Sequence, residues 1–113
     1  MVRLTIRIDF DDGSALGPGK VRLLELIAEK GSIRKAAAGM KMSYRKAWLL
    51  LKALEETFGR PLVKTATGGA KGGGASLTPL GKTVVTRYRE IGREALRSGA
   101  KPLSYLSNKA MQK

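Results

Sequence analysis

The chain has no histidine and no cysteine. Disulfides, thiolate metal sites and the common nucleophile–base pairs are excluded together. Its carboxylates are scattered, with no convergent pair, so no enzymatic activity is expected. What it does carry is positive charge: 22 Lys and Arg against 9 Asp and Glu, a formal +13 over 113 residues. A balance this far from neutral attracts polyanions, and nucleic acid is the first expectation. An anionic membrane is the weaker one, because no stretch pairs a large apolar helix face with a dense basic one. No apolar run approaches spanning length and no signal-peptide pattern opens the chain. A cytoplasmic, nucleoid-associated protein without a membrane partner is expected.

The cations are concentrated. Lys30 to Leu54 holds seven Lys or Arg and no Asp or Glu. The stretch Ser32–Phe58 that carries them predicts two helices and a tight turn. Ser32 is a good N-cap, and Ile33, Ala36, Ala37 and Met40 recur at helical spacing. Gly39, Lys41 and Met42 surround the break. Ser43 is a second N-cap, Ala47, Leu50, Leu51 and Leu54 form a second apolar face, and Phe58-Gly59 ends it. A short helix, a turn and a longer helix with basic residues in its first turn match a helix-turn-helix. An ordinary helical hairpin with a solvated basic face is the plainer alternative.

On the helix-turn-helix reading, Ser43, Tyr44, Arg45 and Lys46 open the recognition helix. Arg45 and Lys46 are candidates for guanine O6 and N7, and Tyr44 for a phosphate or a thymine methyl. Ser32, Arg34 and Lys35 start the preceding helix, where they would hold phosphates. Lys52, Lys64, Thr67 and Lys71 are expected on the DNA backbone. Any one of these lysines alone reads as a solvated surface residue; the cluster carries the expectation. Trp48 is expected to pack between the recognition helix and a wing, since a lone Trp usually supplies buried area. Leu49 and Leu50 extend the apolar surface beyond one face and suggest contact with another protein.

The flanking segments must position this unit. Val2–Phe10 alternates apolar and polar without a slip and reads as a half-buried strand, which needs a partner along its edge. Asp11–Gly19 is a loop. Lys20–Lys30 is an amphipathic helix with Gly31 as C-cap. Leu62–Thr65 and Ser76–Thr78 read as two short strands around the glycine-rich Ala66–Ala75, a β-hairpin wing bearing Lys64 and Lys71. Gly81-Lys82-Thr83 is like the end of a phosphate-binding loop. Ser76 stands where that motif needs glycine, and Thr78-Pro79 reads better as a helix start, N-cap then N1. Thr78–Leu96 is a long helix with Val84, Val85, Tyr88, Ile91, Ala95 and Leu96 along one side. Residues 97–113 form a basic tail, expected either to lack fixed structure or to carry a short helix around Leu103–Met111.

These elements in this order make a winged helix-turn-helix: mainly α, with a small β wing, an N-terminal strand and a long C-terminal helix, over residues 1–96. The segment from Gly31 to Glu56, with Gly31-Ser32-Ile33, Ala37, Ser43-Tyr44 and Ala47-Trp48, resembles the DNA-binding domain of the ModE molybdate-dependent regulators. So does the wing, with Ala66-Thr67-Gly68-Gly69, Gly72-Gly73-Gly74 and Leu77-Thr78. A more distant similarity is to LysR-type regulators. The resemblance implies a homodimeric regulator that binds an inverted repeat of double-stranded DNA. It spans roughly Val2 to Leu96, and 113 residues leave no room for that family's molybdate-binding domains, so no cofactor is expected. The chain reads as a one-domain relative or as the DNA-binding part of a longer protein. The competing expectation is an architectural, nucleoid-like protein that binds DNA or RNA without reading sequence. A dimer is expected through Val84, Tyr88, Ile91 and Ala95, with the first strand contributing, because the other helices can cover only part of so long a helix.

Overall fold

The computed structural model describes residues 2–66 and 74–110. Element order is β1 (Ile8–Asp9), β2 (Ala15–Leu16), α1 (Pro18–Lys30), α2 (Ile33–Gly39), α3 (Tyr44–Phe58), β3 (Val63–Ala66), β4 (Gly74–Leu77), α4 (Pro79–Ser98) and α5 (Ala100–Ala110). The strands form two antiparallel pairs, β1 with β2 and β3 with β4. Helices α1 to α3 pack on one another, β3 and β4 form the wing, and α4 returns across α1.

The helix ends follow local chemistry. Ser32, Ser43 and Thr78 each accept a hydrogen bond from the backbone N–H three residues on, at 3.1, 3.0 and 3.0 Å. These bonds satisfy donors that a helix start leaves free. Gly31 and Gly59 end α1 and α3 in the left-handed region, with φ of 67° and 75°. The α2–α3 turn uses Lys41 in that same region, φ 56°. A side chain there costs about 1–2 kcal/mol. The Met42 N–H donating to the Ala37 carbonyl at 3.1 Å closes the turn.

The core lies among α1, α2, α3 and the first half of α4. Val21, Leu23, Leu24, Ile27 and Leu54 are fully buried, with Ala36, Ala47 and Leu62 beside them. Each large aliphatic chain buried this way contributes about 1.5–3 kcal/mol of transfer free energy. Glu25 on α1 and Arg89 on α4 make a two-pronged ion pair at 2.7 and 2.9 Å. Hydrogen bonding to Arg89 holds the Glu25 carboxyl below its ordinary range.

The first strand is far shorter than its alternation predicts. Only Ile8 and Asp9 pair, opposite Leu16 and Ala15. Continuing that register would set Ile6 opposite Pro18, which has no N–H to donate and already begins α1. The Ile6 carbonyl instead accepts the Tyr88 hydroxyl at 2.6 Å. The alternation still sorts the side chains: Ile6, Ile8 and Phe10 pack against the core as partly buried residues. The segment read as a loop contains β2, and the Phe10 N–H donates to Ser14 O at 2.8 Å to close the hairpin.

The Gly81-Lys82-Thr83 run lies inside α4. Gly81 answers a packing demand there: a Cβ would stand 2.1 Å from the Leu62 carbonyl oxygen. Within the segment read as a tail, residues Ala100–Ala110 form α5; Met111 lies outside the described residues. Pro102 falls in the first turn of α5, where a missing N–H costs nothing.

Two glycines of α4 should therefore respond oppositely to alanine. Gly81→Ala forces backbone apart, and overpacking of this kind costs about 1–3 kcal/mol; the melting temperature should fall by roughly 5–20 °C. Gly92→Ala meets nothing within 4 Å and should raise stability by about 0.5–1 kcal/mol. Thermal melts followed by circular dichroism compare the two directly; equal melts would remove the Leu62 contact as the reason for glycine at 81.

Candidate nucleic-acid interface

Helix α3 decides what is presented. Ala47, Leu51 and Leu54 are buried in the core. At 100° per residue, this turns Arg45, Leu49 and Lys52 to the opposite side, and all three are exposed. The N-terminal residues expected at base edges, Ser43, Tyr44, Arg45 and Lys46, are all exposed as well. Arg34 and Lys35 are exposed on the first turn of α2, with Ser32 half-buried as its cap. Lys64 is exposed on β3. Thr67 and Lys71 lie outside the described residues.

Charge is sorted across the molecule. Ion pairs join Arg7 to Asp9, Arg22 and Arg89 to Glu25, Arg87 to Glu90 and Arg97 to Glu94. None of these pairs uses a cation between Lys30 and Lys64. Arg34, Lys35, Arg45, Lys46, Lys52 and Lys64 thus face solvent without a carboxylate partner among the described residues. An uncompensated face of this kind focuses positive potential toward a polyanion.

The two helices of the unit are joined by an aromatic bridge. The Arg34 guanidinium lies 4.2 Å from the Tyr44 ring centroid. At an exposed site such a contact is worth about 0.5–1 kcal/mol. Tyr44 in turn meets Trp48 edge to face, centroids 6.1 Å apart. Trp48 stands where expected, beside the wing: it lines a groove of about 310 Å³ with Leu51, Lys52, Glu55, Leu62, Val63 and Thr65. It is not buried there, however, being 41% exposed.

The wing is tied at both ends. The Ala75 N–H donates to the Gly31 carbonyl at 2.9 Å, and the Thr78 N–H donates to the Leu62 carbonyl at 3.0 Å. Lys64 is thereby placed beside the start of α2.

Residues without an assignment from sequence also join the face. Lys30 lines a shallow depression with Lys35, Ala38 and Gly39, and its position as the last residue of α1 hid its closeness to α2. Lys41 is exposed at the tip of the turn. Its left-handed φ, where glycine would be easier, is visible only in the structure.

The long helix corrects the expected dimer surface. Val84 and Tyr88 are buried within the chain, at 8% and 4% exposure, so they have no area left for a second subunit. Tyr88 is taken by the N-terminal segment through its bond to Ile6. Ile91, on the same stripe, is exposed and Ala95 is half-buried.

Residues 19–82 match the bacterial regulatory helix-turn-helix family described as lysR. The chain is 39% identical over 84 residues to the molybdenum transport protein ModE of Azotobacter vinelandii, covering 74% of this chain and 31% of that protein. It is 38% identical over 87 residues to the transcriptional regulator ModE of Haemophilus influenzae, covering 77% and 33%. The chain thus spans about a third of the length of the curated relatives it matches. In fold it is similar to the CbnR DNA-binding domain in its DNA complex, with a TM-score of 0.59 at 24% identity over 78% of this chain and 95% of that one. Full-length CbnR bound to target DNA gives 0.56 at 25% identity, over 74% of this chain and 27% of that one.

Arg45, on the outward face of α3, is expected at a base edge, and Lys64, on β3, at the DNA backbone. Arg45→Ala should weaken binding to a preferred DNA site by about 1–3 kcal/mol and relax preference at one base position. Lys64→Ala, on the wing, should weaken all sequences alike. Anisotropy titrations on preferred and scrambled duplexes test this, and indistinguishable mutants would end the division of roles.

Proposed function

The chain belongs to the bacterial regulatory helix-turn-helix family of the LysR type, and on that premise we propose that it is a sequence-specific transcription regulator that binds an inverted repeat of double-stranded DNA as a homodimer. The observation that carries this is the outward face of α3. Exposed Arg45, Lys46 and Lys52 stand there without carboxylate partners among the described residues, on a helix whose inner face is locked in the core. The relatives' names agree with it. On this reading the protein works in the cytoplasm on the nucleoid, is not an enzyme, and needs no cofactor to read DNA. No helix among the described residues is long and apolar enough to cross a membrane.

Dimerisation rests on unspent apolar surface. The stripe that buries Val84 and Tyr88 continues to Ile91 and Ala95 beyond the end of the core. Ile91 and Leu96 on α4 are 45% and 49% exposed, and Tyr105 and Leu106 on α5 are each 62% exposed. A second copy related by a two-fold would cover this arm. It would also set two recognition helices about 34 Å apart, one turn of DNA.

The second reading is a non-specific architectural binder, favoured by basic residues outside the α2–α3 unit such as Arg60, Arg93 and Lys101. Selection from random DNA separates the two. A regulator enriches one motif and binds it roughly 10³-fold or more above bulk DNA; an architectural protein enriches none.

Salt should weaken binding steeply. With about six phosphates neutralised per protomer, log affinity should fall against log salt with a slope near −5 per protomer. A nearly flat titration would sink the electrostatic account.

Sedimentation at micromolar concentration should show a dimer, and Ile91→Asp should split it, since an unpaired charge in an apolar contact is costly. Affinity for the inverted repeat should fall with it although no DNA-facing residue has changed. A wild-type monomer in the same run would discard this assembly.

A further inference from the structure

Leu49 is out of place for a residue facing only water. It is 54% exposed, and it is neither in the core cluster nor among the partly buried residues packed against it. A lone exposed leucine would mean little. Its position gives it meaning: Arg45 is four residues before it and Lys52 three after, so the three share one helix face. That face is the one α3 turns away from the core. An apolar side chain thus sits in the middle of a row of cations, at the most outward part of the recognition helix.

The neighbouring face is apolar too. Tyr44 and Trp48 are 40% and 41% exposed and form their edge-to-face pair one residue round the helix. Arg34, stacked on Tyr44, fixes that wall from α2. The major groove offers one methyl group to such a surface, the C5-methyl of thymine; cytosine has only a C5–H at that place, and the remaining base-edge groups are hydrogen-bond donors or acceptors. A helix that read only polar edges would gain nothing from leucine here.

We infer that Leu49 is a specificity-determining residue whose isobutyl group packs on a thymine C5-methyl, while Arg45 and Lys52 hold the flanking bases or phosphates. The inference rests on the DNA-reading function proposed above. It assigns to DNA a residue whose type alone suggested a protein contact. The preferred half-site then contains a thymine whose methyl group, not only its hydrogen-bonding edge, is read.

The test uses the full chain and the site obtained by selection. Each thymine is replaced singly by deoxyuridine, which keeps O4 and base pairing but lacks the methyl. Wild-type protein should lose roughly fourfold in affinity at one thymine per half-site, the effect of withdrawing one buried methyl. Leu49→Ala should bind the thymine site more weakly, and the thymine–uracil difference should vanish at that position alone. Leu49 is exposed and alanine favours helix, so the variant should melt as wild type does. Should Leu49→Ala keep the wild-type uracil profile, the inference is overturned and Leu49 is left as a protein contact. A wild-type protein with no preferred site overturns the regulator reading along with this one. A firm preferred site with no uracil effect overturns this one alone.

Discussion

The Leu62 carbonyl is the joint on which the interface depends. It accepts the Thr78 N–H at 3.0 Å, and Gly81 passes so close that no side chain could stand there. Thr78 completes the joint: its hydroxyl donates to the Pro61 carbonyl at 2.9 Å and accepts from Gly81 N–H at 3.0 Å. One residue thereby caps α4 and locks the base of the wing. Because Leu62 itself is buried against the core, the base of the wing is fixed to the packed interior. The Gly31–Ala75 bond ties the other strand to the α1–α2 junction. A two-stranded hairpin is marginal by itself; these ties to the helices place Lys64 beside the start of α2.

The same scaffold divides the charge. Four of the acidic residues, Asp9, Glu25, Glu90 and Glu94, are engaged with arginines on the N-terminal segment, α1 and α4. Most of these pairs are exposed and worth little to stability. Their effect is in distribution: they neutralise one side and leave the α2–α3–wing side cationic. The Glu25–Arg89 pair joins α1 to α4 as well, so the long helix is held where the C-terminal half of its stripe runs past the core.

That half of α4 and the whole of α5 form an arm with its own logic. Among the described residues, α5 buries none of its side chains. Such an arm cannot be justified by the stability of one copy, because its ordered residues cost conformational entropy that its few contacts do not offset. A partner surface would supply the missing burial, and the proposed dimer rests on that surface.

Much of this was legible along the chain because the signals are local. The caps at Ser32, Ser43 and Thr78, the glycine ends at 31 and 59, and the cation cluster each depend on neighbours within about one helical turn. Thus the sequence determined the helix-turn-helix, the wing's position in the order and the sign of its charge. What tertiary structure decided depends on residues far apart. The first strand stops at Ile8 because its register meets Pro18. Tyr88 turns inward because the Ile6 carbonyl, 82 residues away in sequence, takes its hydroxyl. The same periodic stripe on α4 therefore serves two purposes, core for its first half and open surface for its second, and periodicity cannot say where one ends. Trp48 is 41% exposed although it stands beside the wing, and Leu49 stands among cations because Ala47 and Leu51 face the core. Periodicity predicts that a face exists; only packing decides what, if anything, lies against it.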